Sequence, residues 1–401
     1  MSWPIVKIED IFDVARGGSP RPIDAFITDD PGGVNWIMIG DTKSGEKYIS
    51  TTAKRIRPEG VKKSRVVKEG DFLLTNSMSF GRPYILKTSG CIHDGWLVLS
   101  PKSDNIYTDY FYYYLGSQEI KNKLAGKAAG AVVKNLNKDI VKGLEIPLPP
   151  LEEQKRIAAI LDKADAIRQK RKQAIELADE FLRSVFLDMF GDPVTNPKGW
   201  KQVPLSTLSH KILNGTTPKG GSNVYVEKGI AFLRSQNVWK KRIDLDDIVY
   251  IDDETHAKMS KSSLKNKDIL ITKTGRINTE NSSLGRAAIY YGKDDQANIN
   301  GHVYLVRLKP DNVHEFIEFI LTTKEYRDHI RSVCVGGIDK RQLNKNHIEE
   351  FPIICPPTDQ QQRFVKVLHQ SQKVMGNYKE QLVEAQNNFS ALTQKAFSGQ
   401  L

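Results

Sequence analysis

The chain has 401 residues, with 59 Lys and Arg against 48 Asp and Glu for a net charge of +11, and it has only three cysteines. That length can bury several cores, and two modules of roughly 150 residues plus connectors fit it. Cys91, Cys334 and Cys355 are odd in number, widely spaced and form no C-x-x-C, so nothing forces a disulfide scaffold, and no stretch approaches a membrane span or a leader with an apolar run behind a basic start. The expectation is a soluble protein of the reducing cytoplasm with no membrane partner.

In chain order, residues 1–150 read as an irregular body. Short β-rich runs such as Phe72-Leu73-Leu74 and Gly95-Trp96-Leu97-Val98-Leu99 alternate with Gly, Ser, Asn and Pro clusters, and a short helix is expected over 108–124. Residues 151–192 read as one long helix. It starts behind Pro149-Pro150 with Glu152 and Glu153 at the positive end of its dipole, and Gly191 and Pro193 stop it. Its apolar stripe runs through Ile157, Leu161, Ala164, Ile167, Ile175, Ala178, Leu182, Phe186 and Met189, about 40 residues or ~60 Å. Residues 193–357 form a second body, with strands at Ile269-Leu270-Ile271 and His302-Val303-Tyr304-Leu305-Val306 and a helix expected over 313–332. Residues 358–401 form a second long helix, whose Thr358 and Gln361 have capping-box spacing.

The second half repeats the first. Trp3 and Trp200 are 197 positions apart, Gly81-Arg82 and Gly285-Arg286 are 204 apart, and from Leu136-Asn137-Lys138 against Leu343-Asn344-Lys345 onward the offset holds at 207. Neither helix can bury so long a stripe on its own small body, so the two are expected to pair as an antiparallel coiled coil. The fold class is then α+β: two tandem mixed α/β domains, each followed by a long helix, related by a pseudo-two-fold axis. The positive excess lies mainly in the two bodies, intermingled with acids, as a shaped polyanion-binding surface would have it; a merely basic soluble protein would carry the same charge.

Catalytic chemistry is missing from the sequence. Ala125-Gly126-Lys127-Ala128 lacks the upstream glycine and the hydroxyl of a phosphate loop, and Asn196-Pro197 reads as a turn rather than a base-flipping methyltransferase motif. Glu153-Gln154-Lys155 has no acidic partner on a preceding strand, so capping explains it better than a nuclease metal site. The eight histidines show no metal-ligand spacing. The aromatic run from Tyr107 to Tyr114 has helical spacing and reads as packing. No catalytic residue, no metal site and no cofactor bound by this chain are expected.

What remains are loops of glycine, small polar residues and a few cations that recur in both bodies. Arg16-Gly17-Gly18-Ser19-Pro20-Arg21 answers Asn214-Gly215-Thr216-Thr217-Pro218-Lys219. Ile37-Met38-Ile39-Gly40-Asp41 answers Leu233-Arg234-Ser235-Gln236-Asn237, and Asn76-Ser77-Met78-Ser79-Phe80-Gly81-Arg82 answers the longer run from Lys273-Thr274-Gly275-Arg276 to Gly285-Arg286. Lysines and backbone N–H groups suit phosphates, whereas Arg, Asn and Gln suit base edges. The candidate DNA contacts are therefore Arg16, Ser19, Arg21, Asn76, Ser77, Ser79 and Arg82 in the first body. In the second they are Thr216, Thr217, Lys219, Arg234, Gln236, Asn237, Lys273, Arg276 and Arg286.

The helix start Pro149-Pro150-Leu151-Glu152-Glu153-Gln154-Lys155-Arg156-Ile157, the segment Phe186-Leu187-Asp188-Met189-Phe190-Gly191-Asp192-Pro193 and the Thr216-Thr217-Pro218-Lys219 loop resemble segments of the specificity subunits of type I restriction-modification enzymes. The second copy, Pro356-Pro357-Thr358-Asp359-Gln360-Gln361, keeps the prolines and glutamines and loses the glutamate. The resemblance implies two target recognition domains, 1–150 and 193–357, that read the halves of a split, asymmetric site in double-stranded DNA, with the helices as a ruler for the unread spacer. It also implies that one copy of this chain gathers two modification subunits, which bring adenosylmethionine and adenine methylation, and restriction subunits, which use ATP and Mg. The competing readings are an architectural DNA-bridging protein with phosphate contacts alone, and a self-contained methyltransferase or nuclease.

Overall fold

The computed structural model describes residues 3–42, 45–76, 81–128 (apart from the Ala128 side chain), 136–277, 279, 281–337 and 339–401. The chain divides into two compact units, Met1–Ile175 with Asn377–Leu401, and Glu176–Gly376. The segments expected from sequence end at 150, 192 and 357. The units instead divide both long helices, Leu151–Phe190 and Thr358–Phe397, because the two halves of each helix pack into different cores.

The first unit is built on two five-stranded sheets. One runs Phe12–Arg16, Trp96–Pro101, Phe72–Thr75, Pro83–Leu86 and Tyr48–Ile49; the other runs Ile27–Thr28, Lys54–Ile56, Val34–Ile37, Gly90–Ile92 and Arg65–Val67. Alternation along the strands explains their unbroken apolar runs. Phe72, Leu74, Leu97 and Leu99 enter a core shared with the helices, whereas Leu73, Trp96 and Val98 enter a core facing the second sheet. A strand buried on both faces has no polar side to show. The body also closes on itself, since Ile5–Lys7 pairs antiparallel with Glu145–Pro147 just before the first long helix begins.

The second unit repeats this plan with two four-stranded sheets. One runs Ser209–Asn214, Val303–Leu308, Ile269–Thr272 and Ala287–Ile289, and the other Tyr225–Val226, Val249–Ile251, Ile230–Leu233 and Ala297–Ile299. Gln202–Pro204 pairs with Pro352–Ile354 to close it.

Each helix expected after the last strand is split in two. Thr108–Leu115 gives way to Gln118–Ala128 at Gly116-Ser117, and His314–Leu321 gives way to Lys324–Val333 at Thr322-Thr323. Thr322 bonds back to Glu318 O at 2.9 Å, and the Thr323 hydroxyl accepts from Tyr326 N at 3.3 Å as the N-cap of the next helix. Hydroxyls that satisfy the orphan backbone groups make such a break cheap.

The long helices begin differently from the expected capping box. The helix starts at Thr358, which is therefore its first residue and not its cap; the cap position falls to Pro357, which has no N–H to donate to a capping box. Gln361 instead donates to Pro356 O at 2.8 Å, and Gln154 does the same to Pro149 O at 2.9 Å. Gln154 is buried and also takes Tyr107 N at 2.9 Å, which ties the helix start to the body.

Within the first unit the two helix segments run antiparallel. Arg156 donates to Leu401 O at 2.8 Å, Arg168 lies over the Phe389 ring at 4.7 Å, and Arg171 lies over Tyr378 at 5.8 Å. In the second, Phe186 and Phe190 meet Phe364 at 5.3 and 5.8 Å. The stripe is not one continuous buried seam. Ile157, Leu161, Leu182, Phe186 and Phe190 are buried against the bodies, while Ile167 is 54 % exposed. The aromatic run packs as expected: Tyr110 and Tyr114 contact Phe397 at 5.7 and 5.0 Å, and Tyr113 donates to Asp162 at 2.6 Å.

The second unit holds a buried carboxyl, Glu318, and a half-buried ammonium, Lys241, whose values are both shifted. Glu318 accepts from Ile289 N at 2.9 Å, and burial pushes its carboxyl up to about 7. Lys241 lies 4.0 Å over the Phe319 ring, and burial pushes its ammonium down to about 8, with Lys240 adding to the shift and Asp179 and Glu318 opposing it. Stability from the raised Glu318 is present below the unfolded carboxylate value and is lost as pH rises through about 7. Stability from the depressed Lys241 is present above the unfolded lysine value and is lost as pH falls through about 8. Denaturant unfolding of Glu318→Gln at pH 5 and pH 8 should therefore give a smaller loss on going to pH 8 than wild type shows, by roughly 1–3 kcal/mol.

Candidate nucleic-acid interface

The loops singled out in sequence stand beside the ends of the parallel strands Val34–Ile37 and Gly90–Ile92 in the first body and Ile230–Leu233 and Ala297–Ile299 in the second, and backbone atoms hold them in the same way in both. Gly17 N donates to Trp96 O at 2.9 Å and Gly18 N to Ile92 O at 3.1 Å; Gly215 N donates to Val303 O at 2.9 Å and Thr216 N to Ile299 O at 3.3 Å. Asn76 N meets Gly95 O at 2.9 Å and Asn76 O takes Leu136 N at 2.9 Å; Lys273 meets His302 O and Leu343 N at the same two distances. Glycine is required where the loop crosses the sheet. A Cβ on Gly17 would fall 2.0 Å from His93 O, and one on Gly215 would fall 2.3 Å from Asn300 O.

On this shared frame the side chains differ. In the first body Arg16, Ser19, Arg21 and Asn76 converge on Asp94. Arg16 Nε and Asn76 Nδ2 donate to its carbonyl at 3.2 and 2.7 Å, Ser19 Oγ donates to Oδ1 at 3.0 Å, and Arg21 reaches Oδ2 at 3.4 Å. Burial pushes the Asp94 carboxyl up, but the Ser19 hydrogen bond and the charges of His93 and Arg21 outweigh it, and the group sits below its ordinary value. A hollow of 840 Å³ beside it is walled by Trp36, Met38, Ile39, Pro22, His93 and Lys54. In the second body the position of Asp94 is held by Gly301, and Thr216, Thr217 and Lys219 are exposed above it.

Several candidates hold the structure rather than face solvent. Asn76 is 4 % exposed with its amide on the Asp94 carbonyl, and Asn237 is 1 % exposed, accepting from Arg234 N at 2.9 Å and donating to Asp244 O at 3.0 Å. Arg286 is 8 % exposed: its Nε donates to Ser282 O at 3.1 Å and its guanidinium stacks 3.8 Å over Trp239. Asn76 and Arg286 are drawn in by partners distant in the chain, Asp94 and Trp239, whereas Asn237 is held by near neighbours. Arg234 and Gln236 are both engaged by Asp247, the Arg234 pair at 3.1 Å. Arg82 stands apart from the Asp94 cluster, over Tyr84 at 5.3 Å and beside Lys121 and Arg168. Lys273 lies over Tyr304 at 5.9 Å and Arg276 is exposed. Ser77 and Ser79 lie outside the described residues.

Two groups of cations were missed. Exposed Lys54, Arg57, Lys62, Lys63 and Arg65 border the first loop; Ser64 Oγ donates to Gly18 O at 2.7 Å and Arg65 Nε to Arg16 O at 3.3 Å. The charge run 54–65 was the available signal. In the second body the guanidiniums of Arg286 and Arg242 both lie over Trp239, the latter at 5.4 Å. Burial, with Arg327 and Arg242 adding to it, lowers the Arg286 value, and Arg327 is lowered by burial and Arg331. Like charges gathered this way favour an anion. Among the described residues no group of three or more His, Cys, Asp or Glu could hold a metal ion, and no helix is long and apolar enough to cross a membrane.

The two bodies thus share one loop frame, with different side chains on it and cations at its borders. Residues 2–177 and 197–385 match the type I restriction modification DNA specificity domain. The chain is 26 % identical over 420 residues to the type I restriction enzyme MjaIX specificity subunit of Methanocaldococcus jannaschii, covering 100 % of this chain and 93 % of that protein. It is 21 % identical to the EcoKI specificity subunit of Escherichia coli K12, covering 100 % and 89 %. In fold it is similar to the type I restriction-modification S subunit from M. genitalium, with a TM-score of 0.54 and 16 % identity over 99 % of this chain and 96 % of that one. The chain belongs to the type I restriction-modification specificity family and is a DNA-recognition subunit, not an enzyme.

The burial of Arg286 separates it from Arg276 in a way that can be measured. Arg286→Ala strips a stacked, doubly hydrogen-bonded guanidinium from Trp239 and should cost about 1–3 kcal/mol in denaturant unfolding, whereas Arg276→Ala should change stability by less than about 0.5 kcal/mol.

Proposed function

We propose that each body is a target recognition domain, 1–150 and 193–357, that reads one half of a split and asymmetric site in double-stranded DNA. The helices 151–192 and 358–401 set the unread spacer. The observation that carries this reading is the pairing of one backbone frame with two sets of side chains. Arg16, Ser19, Asp94 and Arg21 occupy it in the first body, and Asn214, Thr217, Gly301 and Lys219 in the second. An equal frame gives equal docking on the duplex, and unequal side chains give unequal half-sites.

In this reading the chain acts in the cytoplasm as the single specificity copy of a larger enzyme. Two modification subunits bind adenosylmethionine and methylate adenine, and restriction subunits use ATP and Mg. In this reading the loop residues that face the DNA are exposed Arg16, Arg21, Thr216, Thr217, Lys219 and Arg276 and half-buried Ser19, with Arg234 and Gln236 available once Asp247 releases them. Lys54, Arg57, Lys62, Lys63 and Arg65 in the first body, and Arg242 and Arg327 in the second, supply phosphate contacts.

Mapping methylated adenines in cells carrying the modification subunits, with and without this chain, tests the reading directly. Methylation confined to a two-part motif and dependent on the chain is the expected result; methylation without sequence preference would defeat it. The phosphate assignment is tested separately by salt titration of DNA binding. Arg242→Ala with Arg327→Ala should lower the slope of log affinity against log salt by about 0.9 for each phosphate left without its arginine, and weaken all sequences equally.

A further inference from the structure

A carboxylate at the centre of a cationic loop is the opposite of what phosphate affinity needs, since like charges a few ångströms apart repel. Asp94 nevertheless sits there, joined by Ser19 and Arg21, with its side chain 44 % exposed. The shared frame does not require it, because the second body makes the same backbone bonds around Gly301. The group is also held still: its carbonyl takes Arg16 Nε and Asn76 Nδ2 while Ser19 Oγ fixes Oδ1. An ionised carboxylate has about four acceptor positions and no donor. Two protein donors leave part of that capacity facing outward, beside the apolar wall of Trp36, Met38 and Ile39.

We propose that Asp94 reads one base of the half-site taken by the first body, accepting an N–H from the exocyclic amino group of cytosine or adenine and rejecting guanine and thymine. This rests on the reading of the first body as a target recognition domain. In the major groove cytosine N4 and adenine N6 donate, whereas guanine O6 and N7 and thymine O4 only accept. An acceptor-only group set against an acceptor leaves both unpaired as water is excluded, and that asymmetry makes the contact selective. Arg21 and Ser19 position the carboxylate. The second body, with Gly301 at this place, has no acceptor to make the same distinction, so the rule applies to one half-site alone.

The test is a binding selection from randomised duplexes by the chain assembled with its modification subunits, for wild type, Asp94→Asn and Asp94→Ala. Wild type should prefer cytosine or adenine over guanine and thymine by about ten-fold or more at one position of one half-site. Asp94→Asn, whose amide can present either an oxygen or an NH2 group and can still accept from Ser19, should reduce that preference to a few-fold or less. Every other position and the whole second half-site should stay as in wild type. Thermal melting of Asp94→Asn shows whether the loop still folds. If wild type selects a two-part site and both variants select the same bases with uniformly weaker binding, Asp94 is a clasp for the loop and the proposal falls while the parent reading stands. A wild type that selects no sequence defeats both.

Discussion

Everything proposed for the loops depends on how they are held, which is by backbone atoms. Gly17 and Gly215 pass so close to the carbonyls of His93 and Asn300 that no Cβ fits, and the flanking N–H and carbonyl groups complete the attachment. A frame fixed by backbone bonds asks little of the side chains it carries beyond the glycine. Arg16 can become Asn214 and Asp94 can become Gly301 without loss of the frame, so a surface can change what it reads while its fold stays the same. The exceptions are side chains drawn into the scaffold. Asn76, Asn237 and Arg286 replace backbone partners and are no longer free to vary in the same way.

The charge pairs on this frame contribute little to its stability. Arg21 with Asp94 and Arg242 with Asp244 are exposed pairs at 3.4 and 3.3 Å, and such pairs contribute about 0–1 kcal/mol. Arg286 is a different case. It is stacked on Trp239 among Arg242 and Arg327, so its charge acts from a fixed place and shapes the local potential without moving.

The sequence made the frame legible and left the partners hidden, for a physical reason. A repeat offset of 197 to 207 locates equivalent backbone positions, and the backbone bonds of Gly17 and Gly215 fall on those positions. Helix ends were legible too, since proline and glycine act locally; only the capping detail changed, through the missing N–H of Pro357. Burial of Arg286 was not legible because its ring partner is Trp239, far along the chain, and the engagement of Arg234 depends on Asp247 in a strand-to-strand loop. A motif read one residue at a time reports which groups could bind. Which of them are already bound is decided by contacts between segments distant in sequence.

The same distance effect governs the cores. The first unit is completed by residues 377–401, for Phe389, Leu392 and Ala396 join Tyr110, Phe111, Ile157 and Leu161 in one cluster. Synthesis therefore delivers nearly all of the chain before the N-terminal body can cover that face, which until then exposes the aromatic run of its helix. The second unit has no such delay, because Phe186, Phe316, Phe319 and Phe364 lie within its single continuous segment Glu176–Gly376. Contacts between remote segments must meet the loop-closure entropy before they return any burial energy. Each of the two long helices thus gives one half to each core. A change in either helix therefore acts on both cores.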